Sequence, residues 1–552
     1  MTSRVTHVLL LVCIGFVLLL DLHLGLIRHF DPDEFAHLHW SYLIAKGYLP
    51  YRDFFFYIPP TFHILLSFLF RLPSDAYLLI IGRVIQFSII VGSLIVIRRL
   101  TRSMTTHAIA PLLAMLLWLT TPVTFDKSIE IRPDHLMMLF LMSGMYLLGT
   151  SHSRKKNIAS GFLIGIGFAI LPKAIFTIPA VLLLLCTAKK KKQRIGAFAI
   201  GAFIPLFVLF CYFLLTGLLP EAVRSMTHDS FVVQQGKTLF SLWTTLSPWP
   251  LVYVAQGGVS MPWIVNTVVF IAGLMGLPLL MRSSPRIGTA IVLLLGGAVV
   301  EILLFPVPYT QYFLLVTPFL AISAGVLGSS VPQKIQPFVT AVLALLVFGS
   351  FGIQYRERIT NTNKEQLGVI DTVLASTQAD ESIYDAVGSY VFRPDGYYFC
   401  CHPYAEFFGK LGRPYPTLRE SLITTQTKFL VLDQTGQSLW KPMPEDLVFL
   451  LTHFLPTEQP KLYRHAVRLA CSELSCSRLD LSDNTVSEGS LQSFTILADA
   501  VYRITTESTD RVIVLDGQLV RGESLFLTRG THTLSPTGSS VELVIGLDRL
   551  IE

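Results

Sequence analysis

Apolar runs long enough to cross a bilayer, repeated through the first 355 positions, constrain this chain more than any other feature. A hydrocarbon core about 30 Å thick asks for roughly 20 apolar helical residues per crossing. Runs of that kind lie at about 5–27, 76–97, 107–125, 135–150, 195–215, 263–281, 287–305, 309–328 and 336–354. The first follows a single Arg4, is too long for a signal-peptide core and lacks a small-residue cleavage site, so it reads as a retained helix. Charged residues make up 14% of the 552 positions, against about 25% in an ordinary soluble protein. That shortfall excludes an ordinary soluble enzyme, a disordered chain and a small disulfide scaffold. The net charge of +6 does not point to nucleic acid. Its Lys and Arg clusters sit beside apolar runs, as topology signals do, and no nucleic-acid motif accompanies them.

One apolar stretch, 158–186, is longer than a single crossing needs, and Leu171-Pro172-Lys173 interrupts it with a helix breaker and a charge. Basic clusters flank it at Arg154-Lys155-Lys156 and at Lys189 to Lys192 with Arg194. The positive-inside rule puts both clusters on the cytoplasmic face, so the segment predicts two short helices returning to their starting side. The remaining basic sites, Arg98, Arg99, Arg102, Arg282, Arg286 and Lys334, fall on that same face if there are about eleven crossings. The outer face then receives the tip near Lys173, the loop 28–75, the loop 126–134 and everything after about Tyr355.

The first outer loop, DPDEFAHLHWSYLIAKGYLPYRDFFFYIPP, opens with acidic residues and is aromatic throughout. Residues 33–46 have helical spacing and end at Gly47, a C-cap residue, while Phe35, Leu38, Tyr42 and Ala45 form an apolar stripe. This pattern predicts a helix lying along the membrane surface, with Asp33 and His37 one turn apart on a polar face. The second outer loop, DKSIEIRPD, packs Asp126, Glu130, Arg132 and Asp134 against a membrane boundary. Taken alone, that cluster is as well explained by mutual ion pairs ending two helices. With Asp31, Asp33, Glu34, Asp53, Lys173 and the Gln311-Tyr312 pair assigned to the same face, it also suits a phosphorylated substrate.

The segments DPDEFAH, AKGYLPYRDFFFYIPP, EIRPD, GIGFAILPKA and YTQYFLLVTPFLA, in that order, resemble the membrane-embedded GT-C glycosyltransferases, near the protein mannosyltransferases and aminoarabinose (lipid A) transferases. The resemblance covers roughly residues 5–354. It implies transfer of a sugar from a polyprenyl-phosphate carrier to an acceptor outside the cytoplasm, with an acidic residue of the first outer loop in the chemistry. By position that residue is Asp33, with Glu34 beside it. An alcohol is poorly ionised at neutral pH, so a nearby carboxylate must take its proton as the glycosidic bond forms. The leaving phosphate needs cations, and Lys173 and Arg132 are the candidates, the first as a point charge and the second as a bidentate fork. Asp53, His37, Asp134, Gln311 and Tyr312 are candidate substrate-binding residues.

Simpler readings stand beside these. Asp33 or Glu34 could cap the surface helix, Lys173 could snorkel to the interface, Gln311 and Tyr312 could be interfacial anchors, and Asp53 could orient its loop through Arg52 or backbone amides. No cofactor is firmly implied beyond the lipid-linked co-substrate. A divalent metal stays open, with Glu34 and His37 as candidate ligands. His37, His39 and His63 match no zinc spacing and read as solvated histidines.

The expected architecture is therefore a polytopic α-helical GT-C-like membrane domain at 1–355, an extracytoplasmic α/β domain at 356–476 and a small β-sandwich-like module at 490–552. The linker is 476–490, and alternation with an Asp516-Gly517 turn marks the β module. An oxidising compartment would permit disulfides. Cys471 with Cys476 is the favoured pair, none is expected at Cys400-Cys401, and a zinc site from these cysteines is disfavoured because CxxC spacing is missing. The expected setting is the inner membrane, with site and C-terminal region on the periplasmic side. Partners are then the bilayer, a polyprenyl-phosphate-linked sugar and a glycan, glycolipid or protein acceptor, with no nucleic acid. A lipid-linked sugar transporter or flippase, or a non-catalytic polysaccharide assembly protein, are the alternatives, because broken helices and intramembrane charge also occur in transporters.

Overall fold

The computed structural model describes residues 2–151, 153–187, 190–229, 232, 261–304, 310–332, 334–401, 411, 415–432, 444–459, 461–471, 476–478, 493–506, 513–520, 524–536 and 541–547. The chain divides into two compact units. The first comprises Met1–His29, Tyr57–Leu65 and Leu79–Asn363, and the second Phe30–Phe56, Leu66–Leu78 and Lys364–Glu552.

The first unit is helical. Among the described residues, five helices are long and apolar enough to cross a membrane: Val5–Ile27, Tyr77–Met104, Lys191–Leu215, Met261–Ser283 and Pro285–Ile302. Several of the other expected runs form shorter helices, because X-Pro pairs break them. The residue before a proline is pushed out of the helical region by its clash with the pyrrolidine ring. Thr121 (ψ 126°) accordingly separates Ala110–Thr120 from Pro122–Lys127. Arg132 (ψ 147°) precedes Pro133–Thr150. Leu171 (ψ 130°) ends Arg154–Ile170 before the 3-10 helix Pro172–Thr177 and the helix Ile178–Cys186. Two of these three breaks lie next to the polar residues singled out in the sequence, Arg132 and Lys173.

Helix association without water to expel depends on close van der Waals approach, which small residues permit. Arg154–Ile170 and Lys191–Leu215 meet in this way. A Cβ added to Gly161 would lie 2.0 Å from the Phe198 carbonyl oxygen, one on Gly201 2.0 Å from that of Ile158, and one on Gly165 2.7 Å from that of Ala202. The two backbones touch, and Gly161 and Gly165 form a GxxxG pair on the contact face.

The second unit is mixed. Helix Lys364–Ser376 buries Val369, Ile370 and Val373. Strand Ile383–Tyr384 pairs parallel with Phe429–Val431, which pairs antiparallel with Leu462–Cys471. The sheet continues from Leu462–Cys471 through Val541–Leu547 and Ala500–Thr506 to Ser524–Leu527. A four-stranded sheet, ordered Ser493–Ile496, Gly530–Pro536, Ile513–Leu515, Gln518–Val520, is built round a turn at Asp516 and Gly517, both at positive φ. One hydrophobic cluster takes in Val369, Val373, Phe429 and Val467 together with Phe494, Tyr502, Leu534 and Ile545. The expected linker lies largely outside the described residues, apart from the short strand Cys476–Arg478.

Candidate active site

The second unit carries the helix Pro32–Ala45. Asp31 is its N-cap, with Oδ1 accepting from the Asp33 backbone N–H at 3.0 Å. Glu34 at the third position returns the bond, its Oε2 accepting from the Asp31 N–H at 3.0 Å. This is a capping box, in which two orphan N–H groups are satisfied reciprocally. The cap is thus Asp31, with Glu34 as its partner, and neither role falls to the Asp33 side chain. The helix start is held further by Gln366, whose side chain bonds both Phe30 N–H (2.7 Å) and Phe30 C=O (3.1 Å). Gly47, at φ +91°, follows the helix end as expected.

Two expectations for this segment fail. The helix is not a surface helix with one apolar stripe, since every residue from Glu34 to Leu43 is buried. Its Trp40 packs edge-on to Phe56 at 5.0 Å and its Tyr42 edge-on to Phe392 at 5.9 Å. The histidines are not solvated either. His37, His39 and His63 are all buried, with His37 edge-on to Trp40 at 5.7 Å and His39 bonded to Asp395 Oδ2 at 2.9 Å. The partners that bury His39, which are Tyr390 and Asp395, lie far along the chain and leave no trace in local spacing.

Asp53 holds its own loop. Its Oδ2 accepts from the Leu49 N–H at 2.7 Å, and both oxygens take bonds from Arg52 at 2.8 and 3.1 Å. Partial burial raises the carboxyl, but Arg52 and the Leu49 amide outweigh it and hold Asp53 below the usual carboxylate range. The loop is stitched to Tyr398, which accepts from Phe55 N–H at 2.8 Å and donates its hydroxyl to the Tyr51 carbonyl at 2.8 Å.

The first unit gathers Arg132, Asp134, Lys173, Gln311 and Tyr312. Lys173 Nζ donates to Asp134 Oδ1 and, at 3.2 Å, to the Gln311 carbonyl, and it lies 5.8 Å from the centre of the Tyr312 ring. Gln311 therefore contributes its backbone to this contact. An ammonium has three donors, and these two bonds leave one directed elsewhere. Asp134 also faces Arg132 Nε at 3.7 Å, and Arg132 bonds Glu130 Oε2 at 3.3 Å. Burial raises the Asp134 carboxyl, while Lys173 and Arg132 overcome this and keep it below its ordinary range.

Beside this group the ion-pair reading of DKSIEIRPD is realised in full. Glu130, fully buried, pairs with Lys127 at 2.9 Å and Arg28 at 3.1 Å. Asp126 pairs with Arg358 at 2.5 Å and Lys127 at 3.3 Å. Burial raises the Asp126 carboxyl, and Lys127, Arg358 and Arg28 together reverse the effect and hold it below the ordinary range. Five basic side chains, from Arg28, Lys127, Arg132, Lys173 and Arg358, thus share three carboxylates, those of Asp126, Glu130 and Asp134. Basic side chains held together in a water-poor setting offer charged hydrogen-bond donors to an added anion.

Sequence reasoning missed Arg28, Lys127 and Arg358 here, and two carboxylates within the apolar runs. Asp21 accepts from Ser128 Oγ at 2.7 Å. Glu301 is buried within electrostatic reach of Lys173 and Asp134, and neither of its oxygens is hydrogen-bonded. A carboxylate inside a long apolar run was the available signal for both. Among the described residues one group of metal-ligand side chains comes together. It holds His39, Asp395, Cys400 and Cys401, without the expected Glu34 and His37.

Comparison with known proteins follows this division. Residues 58–214, which carry Arg132, Asp134 and Lys173 but not Asp33, match the dolichyl-phosphate-mannose-protein mannosyltransferase family. No curated protein sequence matches the chain. In fold, the chain is similar to ArnT from Cupriavidus metallidurans in the apo state, with TM-score 0.54, 12% identity, 84% of this chain and 92% of that one covered. The same protein bound to undecaprenyl phosphate gives TM-score 0.51 with the same identity and coverage. The Pmt1-Pmt2 protein O-mannosyltransferase complex of S. cerevisiae, solved with its sugar donor, is similar over 40% of this chain and 34% of that chain, with TM-score 0.29 and 17% identity. The likeness to membrane-embedded GT-C glycosyltransferases expected from the motifs is met in sequence, over residues 58–214, and in fold.

Proposed function

We propose that this chain is an integral membrane glycosyltransferase that moves a sugar from a polyprenyl-phosphate carrier to an extracytoplasmic glycolipid, polysaccharide or protein by a single inverting displacement. The observation that carries the reading is the buried, cation-rich cluster around Lys173, Arg132 and Asp134, in the segment that matches the mannosyltransferase family. The undecaprenyl phosphate bound to ArnT, a protein of similar fold, supports a polyprenyl phosphate as carrier.

In this mechanism Lys173 and Arg132 neutralise the departing phosphate, whose charge grows as the glycosidic bond to the carrier breaks. Asp134 sets the position of both cations, and the Gln311 carbonyl and Tyr312 ring direct the lysine. Asp33 takes the proton of the attacking hydroxyl as the new bond forms. Glu34 and Asp31 fix the backbone from which Asp33 projects. His37, one helical turn on, and Asp53, through its loop, shape the acceptor side. In this reading the chain crosses the inner membrane about eleven times, with Asp33, Lys173 and the C-terminal region on the periplasmic side, as the positive-inside rule supports.

The test uses membranes from a strain lacking the gene, which supply the native acceptor, with added protein and a panel of labelled polyprenyl-phosphate sugars. The expected result is one sugar passing from lipid to acceptor, abolished by Asp33→Asn in a protein that still inserts. Movement of labelled lipid across reconstituted vesicles with no new glycosidic linkage would instead establish a transporter.

A further inference from the structure

A second chemical centre lies in the unit that carries helix Pro32–Ala45. His39 Nε2 is 2.9 Å from Asp395 Oδ2, and Cys400 and Cys401 complete a group whose ligand atoms all lie within 4.8 Å of one another. The His39 side chain is fully buried, that of Asp395 is 8% exposed, and both cysteines are buried. The two cysteines are joined as a disulfide.

We propose that His39, Asp395, Cys400 and Cys401 form a closed structural site for a zinc-class divalent cation when the cysteines are thiols, and that the metal-bound and disulfide states are alternatives. The donor set is the first support. Two thiolates, one imidazole nitrogen and one carboxylate oxygen supply the four tetrahedral positions of a structural zinc site, with none left for water.

The surrounding hydrogen bonds are the second. His39 Nδ1 lies 2.6 Å from the Val391 carbonyl oxygen. A carbonyl only accepts, so Nδ1 carries hydrogen and Nε2 is the ring nitrogen left to ligate a metal. Nε2 hydrogen-bonds the Asp395 carboxylate at 2.9 Å, so the two groups are already aimed at one point that a cation could take in place of the shared proton. The other carboxylate oxygen of Asp395 accepts from the Tyr390 hydroxyl. Metal-ligating histidines and carboxylates are held by outer partners of this kind.

The backbone is the third. Gly388, at φ +74°, passes so close that a Cβ there would lie 2.9 Å from Cys401 Sγ and 3.1 Å from His39 Cβ. The chain is shaped to close over these side chains.

A closed site has no coordination position for substrate, so its role is to fasten helix Pro32–Ala45 to the 388–401 segment. The chemistry balances. Cation binding releases the two thiol protons and the one shared by His39 Nε2 and Asp395 in the metal-free state, and conversion from the disulfide first takes two electrons and two protons from a dithiol reductant.

The experiment is metal analysis of the full-length protein in detergent, after reduction with a dithiol, exposure to zinc and removal of excess. About one zinc per chain is expected, falling to less than about one tenth in Cys400→Ser/Cys401→Ser and in His39→Ala, and unchanged in Cys211→Ser. Cobalt substitution of the unmutated chain gives a readout independent of any variant's folding, since thiolate-to-cobalt charge transfer and tetrahedral d–d bands appear only if the cysteines ligate. Failure of the reduced chain to take up zinc, absence of those bands, or full zinc retention in a folded His39→Ala variant would each overturn the proposal.

Discussion

Replacing Lys173 by Met separates its two roles, as partner of Asp134 and as ligand of the donor phosphate. The pair is buried, with side-chain exposures of 11% for Lys173 and 6% for Asp134. Breaking a buried pair by removing one partner costs about 3–5 kcal/mol, because the other charge is left uncompensated. Arg132 Nε remains 3.7 Å from Asp134, which brings the expected loss to the lower end, about 3 kcal/mol. Deleting both members at once removes that penalty, so Lys173→Met/Asp134→Leu should recover most of the stability. Donor binding should not recover with it. A charge-assisted hydrogen bond to phosphate contributes about 1.5–3 kcal/mol, and at 1.4 kcal/mol per decade this is a loss of roughly ten- to hundred-fold in affinity. Thermal unfolding in detergent reads the first quantity, and titration with a polyprenyl phosphate reads the second. If the double variant regains both stability and lipid affinity, Lys173 is only the counter-ion of Asp134 and the phosphate assignment fails.

Other outcomes follow from the same geometry. Gly161→Val should abolish folded yield, since even a Cβ there meets the Phe198 carbonyl at 2.0 Å and two backbones in contact cannot part without separating their helices; size-exclusion profiles check it. Asp31→Ala should lower stability by about 1 kcal/mol through loss of the N-cap, and Asp31→Asn should restore most of it, both read from unfolding midpoints. For Asp53 the folded carboxyl sits below its ordinary value. Its contribution is therefore complete above the unfolded pKa of about 3.9 and fades as pH falls through the folded value. Protease resistance of residues 49–56 should hold from neutral pH to about pH 4 and decline only below it, and in Asp53→Asn this acid-dependent decline should be absent.

What the sequence made legible was whatever local physics dictates. The helix Pro32–Ala45, its end at Gly47, the break at Leu171-Pro172-Lys173 and the turn at Asp516-Gly517 are fixed by spacing, by proline sterics and by glycine's access to positive φ. Basic residues at the cluster were harder to foresee, because Arg358 reaches Asp126 across 232 positions and Arg28 reaches it across 98. The same holds for the histidines. His39 finds Val391 and Asp395 more than 350 positions away, so no zinc spacing could announce it, and the adjacent cysteines looked unpromising without those partners. The surface-helix reading erred for a related reason. An amphipathic stripe states which face is most apolar but not that packing from residues 364–401 covers the polar face too.

The proposed transfer turns on a carboxylate at position 33 acting on the acceptor hydroxyl. Labelled donor is supplied to membranes holding equal amounts of inserted wild-type and Asp33→Asn protein, and sugar arriving on acceptor is measured against lipid bound. Transfer should fall by about 10²- to 10⁴-fold with lipid binding unchanged. Wild-type transfer by Asp33→Asn would contradict it.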